Sequence, residues 1–409
     1  MGFKEFVALI AAMMALNALS IDPMLPALPA IGSSLGVADE NHRQWVVGAY
    51  LLGLGVGSLF YGSLSDRYGR KPVLIICLIA FMAATLGCAL ATSFAMMIAG
   101  RAAAGFFAAA SRVVAVSVVR DRFQGDRMAR IMSLVFIVFM IVPILAPGFG
   151  QLVLHFASWR WIFHALVVVA GMLMLWAALR LPETLRPETR VEINVQDISR
   201  TWRSIVTHRS AFGYMLATGV VMSSLMGFIT SVQQIFFDVF DAADLFPYAF
   251  AAIASFMAVG SFFNSRLVER IGARRMSHTS LSAFILLAVV HSIVAWRGHE
   301  TLGTFMVLQA FTMLTFAFTS ANFSSISLEP FARGAGAASS FQTFLTTMVA
   351  AVLGSAIGQQ FDGTTLPMAL GFLLAGIAAF LIVLWAERGK LFAPAAWRRD
   401  SGLAADDAR

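Results

Sequence analysis

Apolar runs of bilayer-spanning length recur along the whole chain and limit what it can fold into. A helix of about 20 residues rises about 30 Å, the thickness of the hydrocarbon core of a membrane. Only 12% of the 409 residues are charged, against about 25% in a typical soluble protein. The sequence therefore predicts an all-α membrane protein with twelve transmembrane helices, near residues 5–31, 43–63, 72–92, 95–119, 130–155, 161–181, 210–237, 246–266, 277–296, 302–325, 335–359 and 366–387.

The basic residues are distributed unevenly between the two sides of this predicted topology. If the N-terminus is cytoplasmic, 24 of the 29 lysines and arginines fall on the cytoplasmic side, three on the opposite side and two inside spans. This is the bias that sets the orientation of membrane proteins. The net charge of +7 is therefore an orientation signal with both termini in the cytoplasm, and we expect no nucleic-acid partner.

The two halves of the chain repeat each other. LSDRYGRK at 64–71 reappears as LVERIGAR at 267–274, and each segment follows the second span of its half. Such a repeat predicts two pseudo-symmetric six-helix bundles with a central site between them, the plan of many secondary transporters. The predicted division is 1–181 for the N-terminal bundle, 182–209 for a cytoplasmic linker with a short surface helix near Val195–Val206, 210–388 for the C-terminal bundle and 389–409 for a cytoplasmic tail.

Several motifs resemble those of the major facilitator superfamily. GSLSDRYGRKPVL at 62–74 fits the signature between its second and third spans, and RAAAG at 101–105 fits the core of its proton-coupled members. PILAPGFGQ at 143–151 resembles the antiporter signature, although Ala146 and Gln151 replace two glycines. Together with SWRWIF at 158–163 and LEPFARGAGAASS at 328–340, these motifs are similar to the bicyclomycin/chloramphenicol-resistance family of drug:proton antiporters.

The resemblance implies a bacterial inner-membrane exporter of small amphiphilic drugs that works by alternating access and uses a proton gradient rather than a cofactor. We expect a monomer that is not an enzyme and that binds drug-like molecules, protons and the lipid bilayer. One alternative is a same-fold exporter or facilitator of a cell metabolite, such as a sugar or amino-acid derivative. A more distant alternative is a non-transporting membrane sensor.

Three charged residues fall well inside predicted spans: Asp22, Arg101 and Arg112. Such residues are rare in membranes and usually mark an ion or substrate pathway, although a structural ion pair is the alternative. Asp22 and Arg101 lie at comparable depth, so we expect them to be partners. Burial favours the protonated acid and a neighbouring arginine favours the carboxylate, a balance suited to proton coupling. The resemblance assigns proton coupling to the same two residues.

Arg112 follows Arg101 by eleven residues, which places both on one stripe of the helix. Arg112 either lines the inner cavity and binds a polar or anionic group, or it extends to the cytoplasmic interface or pairs with a backbone carbonyl. At an offset of 203 residues, the C-terminal half has Leu225, Thr304 and Thr315 in place of the three charges. We therefore expect proton coupling in the N-terminal bundle and substrate contacts from Arg112 together with Tyr50, Phe228, Gln233, Phe236 and Asn322.

Two further groups of residues are predicted to act in conformational change. The resemblance implies that the cytoplasmic motif forms a gate in which Asp66 faces the start of the eleventh span near Gly334. The motif comprises Gly62, Asp66, Arg67, Gly69, Arg70 and Lys71. The antiporter motif bends or thins the fifth span for tight packing and comprises Pro143, Pro147, Gly148 and Gly150. The sequence contains no nucleotide-binding loop and no Cys/His spacing typical of a metal site.

Overall fold

The computed structural model describes residues 1–123, 125–185, 195–331 and 335–392. Its α-helices, in chain order, are α1 Phe3–Leu19, α2 Leu28–Ser34, α3 Trp45–Tyr68, α4 Arg70–Ala89, α5 Phe94–Arg122, α6 Gly125–Phe156, α7 Arg160–Arg180, α8 Val195–Thr207, α9 Arg209–Gln234, α10 Phe246–Ile271, α11 Ala273–Trp296, α12 Leu302–Leu328, α13 Ala335–Gly358 and α14 Leu366–Ala386.

The helices are long and apolar enough to confirm the predicted fold class. Among the described residues, eleven helical segments have the length and hydropathy of membrane spans. α6 supplies a further apolar stretch, Ile141–Phe156. The chain is a multi-pass membrane protein.

The chain divides into two compact units, here called the N-terminal bundle, Met1–Asn194, and the C-terminal bundle, Val195–Arg409. In the N-terminal bundle α5 packs most extensively on α3 and also on α4 and α1, while α6 packs on α1. In the C-terminal bundle α9 packs on α13 and α14, and α12 packs on α10 and α11. The N-terminal bundle therefore places α5 among α1, α3 and α4.

The second span of each bundle is longer than predicted because its helix continues beyond the apolar run into the charged motif. α3 ends at Tyr68 and α10 at Ile271. The next residues, Gly69 and Gly272, have φ of +101° and +86°, values that glycine adopts without the strain of a side chain. The repeated glycine thus sets the end of both helices.

α8 confirms the short helix expected in the linker. Ile205 on this helix is fully buried in an apolar cluster with Met215, Ala338 and Phe341. The Trp202 ring lies 5.9 Å from that of Phe341. This apolar face holds α8 against α9 and α13 of the C-terminal bundle.

Candidate functional site

The first span is broken where the sequence places its proline-rich segment. α1 ends at Leu19, and the chain continues as a 3₁₀ turn, Asp22–Ala27, before α2. Pro23 has no N–H and so cannot bond to the carbonyl of Leu19, while the Met24 N–H bonds instead to Ile21, 3.2 Å away. The break therefore frees main-chain carbonyls at the end of α1.

The break buries Asp22, whose surface is 4% exposed. Within the part of the chain that the structure describes, its carboxylate makes no hydrogen bond or ion pair. A buried carboxylate without a counter-charge is costly in its ionised form.

Arg101 does not form the expected ion pair with Asp22. Its Nη2 donates to the Ser20 carbonyl at 2.9 Å, and its Nε donates to the Val46 carbonyl at 2.8 Å. The guanidinium is buried, 1% exposed, and lies 4.4 Å from the centre of the Tyr50 ring. Arg101 therefore links the freed end of α1 to the start of α3. The carbonyl that it binds on the α1 side, that of Ser20, is two residues before Asp22.

Tyr50 extends this site into a polar cluster that the sequence did not reveal. Its hydroxyl donates to Asn17 Oδ1 at 3.1 Å, and Asn17 Nδ2 donates to Ser111 Oγ at 3.4 Å. All three side chains are buried. Tyr50 thus supports Arg101 and orients Asn17, and its predicted role as a substrate contact stays a prediction.

Two glycines allow the close approach that this arrangement needs. A β-carbon at Gly105 would lie 1.9 Å from the carbonyl oxygen of Tyr50, and one at Gly150 would lie 2.0 Å from that of Pro23. Gly105 thus brings α5 against α3, and Gly150 brings α6 against the break that holds Asp22. The remaining residues of the antiporter motif lie on the same helix: Pro143, Pro147 and Gly148.

Arg112 is exposed although its neighbours on α5 are not. Ala108, Ser111 and Ala115 are buried, whereas Arg112 is exposed. It shares a face with Arg101, which bonds to both α1 and α3. The predicted role of Arg112 in the inner cavity stays a prediction.

The predicted gate residues form a network around Arg70 at the end of α3. Arg70 Nη2 lies 2.6 Å from Asp66 Oδ1, and Arg70 Nε lies 2.9 Å from Asp121 Oδ2. Glu183 accepts from the main-chain N–H groups of Arg70 and Lys71 at 3.0 and 3.1 Å. An anion is favourable at a helix N-terminus, so Glu183 stabilises the start of α4.

Asp121 and Glu183 lie far from this motif in the sequence, and no local pattern marks them as its partners. The side chain of Arg67 is exposed, and its guanidinium lies 5.4 Å from the Tyr68 ring. Gly62 lies on α3, and its carbonyl accepts from the Ser65 hydroxyl. The expected partner of Asp66 near Gly334 lies outside the described residues.

The substrate contacts predicted in the C-terminal bundle are engaged in internal packing. Phe228 stacks on Phe250 with ring centres 5.8 Å apart, and Phe236 contacts Phe305 at 6.0 Å. Asn322 donates to Asn264 Oδ1 at 2.6 Å. Phe228, Phe236, Asn322 and Gln233 are all at most 3% exposed, and their predicted substrate role stays a prediction.

The family model of the Major Facilitator Superfamily matches residues 8–355. The chain belongs to this superfamily. It is a transporter of small molecules rather than an enzyme, and the drug-efflux transporters of the family use no cofactor.

Three curated relatives match most of the chain. An uncharacterized MFS-type transporter, YdgK of Bacillus subtilis, is 28% identical over 89% of this chain and 91% of its own. A bicyclomycin resistance protein homolog of Haemophilus influenzae is 27% identical over 85% and 87%. The multidrug resistance protein MdtL of Salmonella typhimurium is 28% identical over 87% of each chain. The second and third names agree with the family that the motifs resemble.

Solved structures of transporters share the fold. The human organic anion transporter MFSD10 (TETRAN) superposes with a TM-score of 0.70 at 16% identity, covering 94% of this chain and 99% of that one. A D-xylose–proton symporter superposes with a TM-score of 0.71 at 12% identity and the same coverage. At these identities the likeness concerns the fold alone.

Proposed function

We propose that this protein is a drug:proton antiporter of the bacterial inner membrane, with both termini in the cytoplasm, that exports small amphiphilic drugs by alternating access. The observation that carries the proposal is Asp22, a buried carboxylate at a break in the first span that has no ion-pair or hydrogen-bond partner among the described residues. Intramembrane acids of this kind are the usual proton carriers of transporters. The relatives named for bicyclomycin and multidrug resistance support the substrate class.

In the proposed cycle Asp22 alternates between its ionised and neutral forms. Substrate binds to the inward-open protein while Asp22 is ionised, and a proton from the outer side then neutralises Asp22 as substrate leaves. The neutral acid removes the cost of burying a charge and permits the return step. Arg101 is a positioning residue in this cycle, because its guanidinium is bonded to carbonyls of α1 and α3 rather than to the acid.

Arg112 favours neutral or weakly anionic substrates over simple cations. The charged residues well inside the predicted spans of the N-terminal bundle are Asp22, Arg101 and Arg112. Of these three, Arg112 is exposed. A cationic group that lines a cavity attracts acidic or polar groups of a ligand and repels cations. Chloramphenicol-like molecules, which carry polar groups on an apolar frame, fit this requirement.

The test is proton-driven export of chloramphenicol from proteoliposomes by the Asp22→Asn variant. Asparagine keeps the size of the side chain but cannot exchange a proton, so we expect export driven by a pH gradient to fall to the level of empty vesicles. Asp244→Asn, which changes an exposed aspartate in the C-terminal bundle, is the matched control and keeps wild-type export. Undiminished pH-driven export by Asp22→Asn would refute the proposal.

A further inference from the structure

The C-terminal bundle contains a buried histidine–carboxylate pair. His291 Nε2 lies 2.9 Å from Glu300 Oε1, and the two side chains are 1% and 5% exposed. The Thr365 hydroxyl donates to the other oxygen of the Glu300 carboxylate. The pair therefore joins the outer part of α11, the connection before α12 and the residue that precedes α14.

Polar atoms with unused hydrogen-bonding capacity are concentrated around this pair. His291 Nε2 and Glu300 Oε1 are within ion-pair distance but are not aligned for a hydrogen bond, and both amide atoms of fully buried Gln309 are unpartnered among the described residues. Gln309 lies one turn after Phe305, whose ring is 5.7 Å from that of His291. Buried polar atoms are almost always paired, so these unpartnered atoms are unusual for the interior of a helical bundle.

The charge of the pair changes by one on proton binding. A neutral His291 beside an ionised Glu300 has a net charge of −1, and one added proton brings the pair to zero on whichever residue it resides. A net charge at a buried site is costly, and the two groups are close enough to share one added proton. We propose that His291 and Glu300 form a second proton-binding site of this transporter, separate from Asp22.

Four other charged residues on the neighbouring elements are exposed. Arg297 and His299 follow α11, Asp362 precedes α14 and Asp238 follows α9, and all four are exposed. Over the described ranges, none of them makes an ion pair or a hydrogen bond with His291 or Glu300. The described ion-pair contact of Glu300 is thus with His291.

The N-terminal bundle builds the equivalent corner without a carboxylate. The residue 203 positions before His291 is Cys88, whose thiol lies 3.9 Å from the carbonyl of Met97. Gln309 is the eighth residue of α12, as Arg101 is of α5. α11 is longer than α4, and its connection to the next helix is longer than the connection after α4. Matching residues by their place in the helix therefore pairs Arg101 with Gln309, whereas the fixed offset of 203 residues pairs Arg101 with Thr304. The pair is a property of the C-terminal bundle alone.

The test is to count the protons taken up by the purified full-length chain between about pH 8 and about pH 5.5, a window that leaves exposed carboxylates ionised. We expect Glu300→Gln to take up about one proton fewer than the wild type. Glu269→Gln, which changes an exposed glutamate, is the control and matches the wild type. Uptake by Glu300→Gln equal to that of the wild type would overturn the inference.

An apolar replacement of the whole pair keeps the test decisive if Glu300→Gln does not fold. Buried ion pairs can often be replaced by apolar residues without loss of stability, so the variant with both His291→Leu and Glu300→Leu is expected to fold and to take up about one proton fewer. Equal uptake by this variant would equally overturn the inference.

Counting the protons that each variant takes up tests this inference independently of the proposed function. The consequence for transport, an additional proton that moves with each substrate, rests on that function, whereas proton uptake does not. If Asp22→Asn transports normally while Glu300→Gln lacks a proton, the proposed function fails and the second site stands. If Asp22→Asn abolishes coupling while Glu300→Gln binds as many protons as the wild type, the second site fails and the proposed function stands.

Discussion

Arg101→Lys tests whether Arg101 acts as a clamp between two helices. The guanidinium reaches the Ser20 and Val46 carbonyls together, whereas a lysine ammonium is a single point charge that does not reproduce this fork. The variant loses one hydrogen bond from a charged donor and leaves a buried carbonyl unpaired, which costs about 1–3 kcal/mol. Weaker contact with the Tyr50 ring adds about 1 kcal/mol.

The expected total of about 2–4 kcal/mol corresponds to a fall in Tm of roughly 5–15 °C, from about 2–4 °C per kcal/mol for a unit of this size. The measurement is thermal unfolding in detergent followed by tryptophan fluorescence. Arg297→Lys, at an exposed arginine between α11 and α12, is the control and leaves Tm unchanged. A Tm for Arg101→Lys within about 1 °C of the wild type would refute the clamp.

A double-mutant cycle distinguishes this clamp from the ion pair that the sequence suggested. Arg101 bonds to main-chain oxygens, which Asp22→Asn leaves in place. We therefore expect the stability changes of Asp22→Asn and Arg101→Lys to add within about 0.5 kcal/mol. An interaction energy above about 2 kcal/mol would show that the two side chains are directly coupled.

Three further substitutions test the packing and the cytoplasmic network by the same unfolding measurement. Gly105→Ala forces a β-carbon against the Tyr50 carbonyl and should destabilise by about 1–3 kcal/mol. Gly87→Ala has open space in α4 and should stabilise by up to about 1 kcal/mol; equal effects of the two would contradict the close approach. Glu183→Gln removes the anion at the start of α4 and should lower the free energy of unfolding by about 1 kcal/mol. An unchanged Tm would show that the charge of Glu183 does not stabilise the start of α4.

The membrane fold could be predicted from the sequence because each span carries its own signal. A run of about 20 apolar residues predicts a helix without reference to any other part of the chain. The helix ends were less predictable where a helix extends beyond the apolar run, as α3 does to Tyr68 and α10 does to Ile271. At both sites the repeated glycine was a better marker of the end than the hydropathy.

The site was only partly predictable because its contacts join distant parts of the chain. Asp22 and Arg101 stand out as charges within spans, but the partners of Arg101 are the carbonyls of Ser20 and Val46, and a carbonyl leaves no signature in the sequence. Glu300 was missed for another reason, since it lies outside the apolar runs and is buried by its contact with His291. The sequence reveals which residues are unusual and leaves open what they contact.

The most direct test of the central claim is proton movement coupled to substrate. Proteoliposomes that enclose a pH-sensitive dye are supplied with chloramphenicol on one side, without an imposed pH gradient. The proposed antiport predicts that the wild type moves protons in the direction opposite to the drug, and that Asp22→Asn moves none. Drug-dependent proton movement by Asp22→Asn equal to that of the wild type would contradict the assignment of coupling to Asp22.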